Sequence, residues 1–225
     1  MHIGLIGGIG PAATEFYYRN LVKRHADAGS TMDLTIVHAD VTTLIGNFTK
    51  RAYEAQVDDY MKYVKRLQAA GCDAIATTSM AGHFCIDQLI EASPLPVINA
   101  IPAINDYFSA HGIGCVGLLG TNGVMESKLY GGITSAEVIA PADDVFERVS
   151  EEYFALARTG ECTDEQRAFF FGVGHGMINQ GADAVMLAGT DLCLAFDGQN
   201  PGFPVIDSAL VHVDALFEAS VSGKV

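Results

Sequence analysis

Short apolar runs bounded by glycine or proline alternate along the chain with longer segments whose apolar residues recur at helical spacing. Unbroken apolar runs of this kind are typical of parallel strands that are buried on both faces and joined by crossover helices. The pattern predicts strands at residues 3–6, 34–37, 74–77, 97–98, 116–119, 138–139, 184–187 and 205–206. It predicts helices or helix starts at residues 14–25, 51–70, 84–92, 101–111, 127–130, 144–159 and 163–180.

Three fragments of the first half recur, in the same order, in the second half. The matching pairs are residues 3–10 with 116–123, 71–75 with 181–185, and 95–99 with 203–207. Three matches in register predict a duplicated α/β unit, and therefore two pseudo-symmetric, doubly wound parallel-sheet domains of the flavodoxin-like kind. Ligands bind such sheets outside the carboxyl ends of the strands, so we expect an active-site cleft between the two domains.

The charge balance restricts the partners. The 225 residues include 13 basic and 27 acidic side chains, which gives a formal charge of −14. A surface this acidic repels phosphate backbones and anionic lipids, so we expect neither a nucleic-acid nor a membrane partner. The five cysteines are an odd number without a C-x-x-C pair, which indicates reduced thiols in a cytoplasm. The histidines are scattered singly, so no metal site is predicted.

A glycine-rich loop follows the first predicted strand, and a second copy of it follows a strand of the second half. The main-chain N–H groups of such a loop and the positive end of the next helix attract anions. We therefore interpret Gly8 and Gly10, and in the second copy Thr121, Asn122 and Gly123, as carboxylate-binding residues.

The same loop allows a second interpretation. Residues 8–13 satisfy the dinucleotide pattern G-x-G-x-x-A. The acidic residue that would bind the ribose is expected about 20 residues further on, whereas Asp40 lies about 30 residues on. A nicotinamide-dependent enzyme is therefore the weaker hypothesis.

Residues 4–11, Gly-Leu-Ile-Gly-Gly-Ile-Gly-Pro, followed by Tyr17-Tyr18, resemble the opening of the aspartate/glutamate racemase family, and the resemblance extends along essentially the whole chain. Members of this family need no cofactor. Two facing cysteines, in a C-N-T-A-H loop and a G-C-T-E loop, act as base and acid on either face of the substrate α-carbon. The resemblance implies that a C-terminal helix at 209–220 returns to the first half, giving domains of residues 1–100 plus 208–225 and 101–207. It also implies a homodimer.

Both cysteine positions are changed in this chain. The corresponding segments are Ser-Met-Ala-Gly-His at residues 79–83 and Ala-Gly-Thr-Asp at residues 188–191. Ser79 and Gly189 therefore stand where the family has its thiols, which identifies a divergent member that lacks both. A thiol can be tuned to a thiolate, whereas a serine needs a separate base and a glycine has nothing to donate. Racemisation by two thiols is excluded at these positions.

Other residues offer replacements. Cys85 and Cys193 follow the two loops; buried small hydrophobes are the simpler interpretation of both, and Cys193 is kept as a second possibility for a nucleophile. His83 could activate Ser79, with Asp191 or Asp40 facing it as a paired acid and base. Helix capping is the structural alternative for Ser79 and its threonine neighbours.

These considerations define a candidate site. Ser79, His83 and Asp191 are the candidates for proton transfer. Arg158 aligns with a basic family residue that binds a substrate carboxylate, whereas a second family arginine corresponds to Ile45. The predicted substrate-binding residues are Gly8, Gly10, Asp40, Thr78, Met80, Ala81, Thr121, Asn122, Gly123, Arg158, Gly189 and Thr190.

Two functions remain open. The first is a cofactor-independent enzyme that transfers protons on a small carboxylate or amino acid, as a racemase or isomerase or as a related decarboxylase or lyase. The second is a catalytically inactive protein of the same fold that binds a small carboxylate. A protein that descended from a racemase and lost its activity would lack both thiols and keep the loops, as this chain does.

Overall fold

The computed structural model describes residues 1–225, apart from the side chain of Asp143. The chain divides into two compact units, residues 1–99 with 212–225 and residues 100–211. Each unit is a parallel sheet with helices in the connections between its strands. This confirms the predicted α/β class with two parallel sheets.

The first unit holds a sheet in the order β2-β1-β3, and all its pairs are parallel. Its elements are β1 (His2–Gly7), α1 (Pro11–Ala28), β2 (Asp33–His38), α2 (Val41–Thr49), α3 (Tyr53–Ala69), β3 (Ala74–Thr77), a 3-10 helix at Ala81–Cys85 and α4 (Ile86–Ala92). Val97 adds an isolated parallel bridge to Ile75, on β3.

The second unit holds a sheet in the order β5-β4-β6-β7, again with parallel pairs. Its elements are α5 (Ala100–His111), β4 (Cys115–Leu119), α6 (Asn122–Glu126), β5 (Glu137–Ile139), α7 (Asp143–Thr159), α8 (Asp164–Asn179), β6 (Ala184–Leu187), a 3-10 helix at Thr190–Leu192, α9 (Cys193–Phe196) and β7 (Val205–Asp207). The last helix, α10 (Ser208–Ser222), begins in this unit and belongs to the first unit from His212 onward.

The two halves that repeat in sequence also pair their central strands in the same register. Gly4 of β1 pairs with Ile75 of β3, and the corresponding Gly117 of β4 pairs with Val185 of β6. One residue beyond the strands, the Thr78 N–H donates to the Ile6 carbonyl. The equivalent bond in the second unit joins the Ala188 N–H to the Leu119 carbonyl. Both units therefore hold the loops after their two central strands in the same way.

The last helix is fastened to the first unit through His212. Its Nε2–H donates to the Ile98 carbonyl at 2.9 Å, and its Nδ1 accepts the Tyr17 hydroxyl at 2.9 Å. The tautomer follows because a carbonyl oxygen can only accept. Arg24 forms an ion pair with Asp214, two residues further along the helix.

Seven of the eight predicted strands are present, whereas residues 97–98 supply only the isolated bridge of Val97. One predicted helix start was wrong, because α6 precedes residues 127–130 and the positive φ values of Lys128, Leu129 and Tyr130 end it, while Leu129 is buried. No helix was predicted directly after β2, but this segment forms α2, whose first turn the Asp40 side chain caps. In the described part of the chain, no helix is long and apolar enough to cross a membrane.

Both central strands carry a glycine where a crossover helix comes close. A Cβ on Gly117 would lie 2.8 Å from Met177 Sδ and 2.9 Å from Met177 Cβ. We predict that Gly117→Ala lowers the free energy of unfolding by about 1–3 kcal/mol, because the rigid stem of Met177 cannot move aside. Urea denaturation measures the change.

Gly172→Ala is the matched control, because a Cβ on this residue of α8 meets nothing within 4 Å. It should raise the free energy of unfolding by about 0.5–1 kcal/mol through helix propensity. Equal stabilities of Gly117→Ala and the wild type would contradict the proposed close approach.

Candidate functional site

The loop between β1 and α1 is shaped by glycine. Gly8 has a φ of 83°, and a Cβ there would lie 2.5 Å from both the Ala39 carbonyl oxygen and His38 Nδ1. The Gly8 N–H donates to Thr14 Oγ1 at 2.8 Å, and this hydroxyl donates to the Gly10 carbonyl at 3.0 Å. Thr14 therefore closes the loop, and it already uses the Gly8 N–H that was expected to bind an anion.

Buried hydroxyls begin the loop after β3. Thr78 Oγ1 lies 3.1 Å from Thr14 Oγ1, so a hydrogen bond joins this loop to the glycine loop after β1. Thr77 Oγ1 is buried and has no hydrogen-bond partner. The two loops of the first unit therefore form one polar cluster beneath the surface.

Ser79, at the first cysteine position, is 2 % exposed. Its hydroxyl oxygen accepts the Gly82 N–H at 3.2 Å, and its carbonyl accepts the His83 Nδ1–H at 2.7 Å. Met80 is fully buried, and Ala81 begins the 3-10 helix in which these bonds form. The structure thus brings Ser79 and His83 together, but the imidazole is held by the serine carbonyl and does not contact its hydroxyl.

The other nitrogen of His83 is the chemically significant one. Because Nδ1 donates to a carbonyl, Nε2 carries the lone pair, and it is buried without a hydrogen-bond partner. Burial lowers the pKa of His83 to about 4, so the ring is neutral at physiological pH. The edge of the His212 ring packs against it, with 5.9 Å between ring centroids. His83 is therefore a buried, neutral proton acceptor beside Ser79.

In the second unit, an aromatic ring fills the second cysteine position. A Cβ on Gly189 would overlap Cε2 of Tyr153 and would lie 3.0 Å from Cζ of the same ring. The Tyr153 hydroxyl donates to Asp191 Oδ2 at 3.1 Å, and both side chains are buried, as is Thr190. Burial and the neighbouring Asp191 carboxylate raise the pKa of Tyr153 well above its usual value, so the phenol keeps its proton.

The loop after β4 contributes two further polar side chains. Thr121 Oγ1 is buried without a partner. The Asn122 N–H donates to Ser150 Oγ at 3.1 Å, and its side-chain amide donates to the Glu147 carboxylate. Since a carboxylate only accepts, the Asn122 oxygen faces away from Glu147, and it too is buried without a partner. Gly123, next in the chain, is half-buried.

The unpartnered polar atoms are concentrated at the strand ends. Among the residues that the structure describes, the buried side-chain atoms without a hydrogen bond are Thr77 Oγ1, His83 Nε2, Thr121 Oγ1 and Asn122 Oδ1. All four lie at the end of β3 or in the loops after β3 and β4. A buried polar atom without a partner costs roughly 1–3 kcal/mol. Polar atoms at corresponding ends of both sheets are therefore available to bind a ligand or an ordered water.

Two predicted residues lie outside these clusters. Asp40 is exposed, and its carboxylate accepts the Thr43 N–H at 2.8 Å as the cap of α2, which lowers its pKa. Arg158 is exposed in the last turn of α7, where a cation complements the helix dipole. The structure gives each residue a local role at a helix end rather than a place in the buried polar clusters.

Cys85, which follows the first loop, offers no ready thiolate. Burial raises the pKa of Cys85 to about 12, so this thiol stays protonated. Cys193 is buried at the first residue of α9. In the described part of the molecule, no disulfide forms, and no group of three or more His, Cys, Asp or Glu side chains is arranged to hold a metal ion.

Sequence reasoning missed Thr14 and Tyr153. Thr14 adjoins the glycine-rich loop in sequence, whereas Tyr153 lies on a helix far from its partner in sequence. The usable signal for Tyr153 was Gly189 itself, because a buried position that loses its side chain requires another group to fill the space.

A groove in the second unit does not include these loops. It has a volume of about 410 Å³ and is lined by residues of α7 and α8 and of the segment before α7. The Arg148 guanidinium lies there, 4.2 Å from the centre of the Phe169 ring. None of the predicted site residues lines this groove.

The two parallel sheets, with polar residues at corresponding strand ends, have the architecture of the amino-acid racemases that the sequence resembles. A model of the Asp/Glu/Hydantoin racemase family matches residues 6–216. The chain therefore belongs to the Asp/Glu/hydantoin racemase family.

Solved structures agree with this assignment. A candidate Asp/Glu racemase from Yersinia pestis matches with a TM-score of 0.83 and 25% identity, over 98% of this chain and 100% of that one. Picrophilus torridus aspartate racemase matches with a TM-score of 0.81 and 22% identity, over 98% and 95%. A glutamate racemase isoform from Bacillus anthracis matches with a TM-score of 0.65 and 18% identity, over 96% and 80%. The two-sheet fold is common to all of them.

The buried histidines predict a pH dependence of stability. The pKa values of His83 and His212 fall from 6.5 to about 4 and about 3 on folding. Below pH 6.5 the unfolded chain therefore binds protons that the folded chain does not, and the free energy of unfolding decreases as the pH falls. Each histidine contributes up to about 1.4 kcal/mol per pH unit within that window.

We predict that His83→Gln reduces this slope by up to one proton between pH 6.5 and pH 4, as measured by urea denaturation at a series of pH values. His111→Gln, at an exposed position, is the matched control and should leave the slope unchanged. A slope in His83→Gln equal to that of the wild type would refute the neutral, buried state of His83.

Proposed function

We propose that this protein is a cofactor-independent enzyme of the racemase family that transfers a proton at the carbon next to the carboxylate of a small amino acid. The observation that carries the proposal is the placement of the four unpartnered buried polar atoms at the end of β3 and in the loops after β3 and β4. Inert strand ends would not need to keep such atoms buried and unsatisfied.

The types of these atoms support an amino acid as the ligand. Thr77 Oγ1 and Thr121 Oγ1 are hydroxyls, which can donate to carboxylate oxygens. Asn122 Oδ1 only accepts, and an acceptor suits an ammonium group, whereas the lone pair of His83 Nε2 remains for the transferred proton. Hydroxyl donors and an acceptor of these kinds match the carboxylate and the ammonium group of an amino acid. Thr190, Gly10 and Gly123 complete the proposed binding residues.

The proton chemistry differs from that of a two-thiol enzyme. Neutral His83 is the available acceptor in the first unit. The Ser79 hydroxyl, which stands at the first cysteine position without contacting the imidazole, is the second proposed proton-transfer group there. Asp191 belongs to the second unit, where its carboxylate is occupied by the Tyr153 phenol. We therefore expect slower, less symmetric proton transfer than two matched thiols would provide.

A specific observation favours the alternative of an inactive binding protein. The second thiol is absent because residue 189 is glycine. Tyr153 fills the space beside Gly189, so a single substitution could not restore a side chain there. In that case the strand-end loops bind a small carboxylate without reaction. The same experiment separates the two functions.

The test is deuterium incorporation from heavy water into a panel of amino and hydroxy mono- and dicarboxylates, followed by mass spectrometry. We predict that the wild type labels the α-carbon of at least one amino acid, and that Ser79→Ala lowers the rate about 10²- to 10⁴-fold, the usual contribution of an acid or base. Ser109→Ala, an exposed serine on α5, is the matched control and should match the wild type.

Thermal denaturation with the same panel detects binding independently, because a ligand that binds the folded state raises the melting temperature. Labelling without dependence on Ser79 would contradict the role given to the serine. A raised melting temperature without any labelling would establish the binding-only function. If the panel caused neither labelling nor a raised melting temperature, both functions would be rejected.

A further inference from the structure

The position of the second family thiol contains a different chemical group. The ring atoms nearest to a Cβ placed on Gly189 would be Cε2 of Tyr153, followed by its two ring neighbours Cδ2 and Cζ. Cζ is the carbon that bears the hydroxyl, so the ring edge next to the hydroxyl, rather than the base of the side chain, replaces the missing group. Glycine at 189 and tyrosine at 153 are sterically dependent on each other.

We propose that Tyr153 is the proton donor of the second unit, held in place by Asp191. This assignment rests on the proposed function and adds a catalytic residue to it. The supporting geometry is the Tyr153 Oη to Asp191 Oδ2 hydrogen bond of 3.1 Å, made between two buried side chains at the loop that follows β6. Asp191 acts through Tyr153 and is a positioning residue.

The proton balance of the step is simple. The O–H of Tyr153 turns from Asp191 to the carbanion next to the substrate carboxylate, and the O–H bond breaks as a C–H bond forms, which leaves a phenolate. A water molecule then returns a proton to the phenolate. The proton first removed from the α-carbon is released to the hydroxide that remains, so the net proton change is zero. A carbanion of this kind is a far stronger base than a phenolate, so the transfer is favourable even for a reluctant phenol.

The same environment keeps the phenol protonated. Burial disfavours the charge of a phenolate and the Asp191 carboxylate repels it, so the phenol is protonated before each turnover. Tyr153 therefore enters a turnover as an acid, whereas a resting thiolate would enter it as a base.

Tyr153→Phe is the direct test, because it removes the hydroxyl and keeps the ring that fills the space beside Gly189. We predict that solvent deuterium incorporation falls at least about 100-fold, while the ligand-induced shift in melting temperature is retained. Tyr107→Phe, a half-buried tyrosine on α5 of the same unit, is the matched control and should label at the wild-type rate. Wild-type labelling in Tyr153→Phe would overturn the assignment and leave the proposed function standing, whereas no labelling in the wild type would reject both.

A second measurement tests the steric dependence without any substrate. Gly189→Cys alone should lower the melting temperature by several degrees because its Cβ overlaps the Tyr153 ring. Gly189→Cys combined with Tyr153→Ala should be more stable than the sum of the two single changes predicts. Additive shifts would show that the ring does not occupy the position of the missing side chain, and would overturn the assignment.

Discussion

In each unit, the polar residues after the central strands depend on a main-chain hydrogen bond that extends the pairing of those strands by a single residue. In the first unit it joins Thr78 to Ile6, and in the second it joins Ala188 to Leu119. Each bond fixes where the loop after one strand begins relative to the loop after its neighbour. The polar side chains that follow are placed by this register, so a slip of one residue would turn them to the opposite face. The duplicated fold thus positions these loops in the same way in both units, although the residues in the loops differ.

The strands could be predicted from the sequence because they depend on local patterns, and the loops that follow them are where the sequence predicts the site. Buried parallel strands are continuous apolar runs, and their carboxyl ends bind ligands whatever the loops contain. His83 could be found in the same way, since it lies in the loop after β3. The protonation state of His83 could not be predicted from the sequence. It depends on the hydrogen bond from Nδ1 to the Ser79 carbonyl, which leaves Nε2 with its lone pair, and this bond depends on the geometry of one 3-10 helix.

Three side chains have surroundings that the sequence pattern does not reveal. Tyr153 reaches Gly189 from another helix, and nothing in the segment around it distinguishes a catalytic tyrosine from a core one. Asp40 has the right chemistry for a site but satisfies the first turn of α2. Arg158 was chosen by resemblance alone, and its exposed position in α7 follows from the burial of Tyr153 and Leu156 on the other side of that helix.

The absence of thiols from both strand-end loops has a consequence for the conditions in which the protein could work. A catalytic thiolate is the side chain most readily oxidised, first to a sulfenic acid and then irreversibly. Ser79, Gly189 and Tyr153 present no sulfur to peroxides or to alkylating reagents, and the raised pKa of Cys85 keeps that thiol unreactive. The oxidation of a catalytic thiolate that would inactivate a two-cysteine racemase therefore has no target at residues 79, 153 and 189.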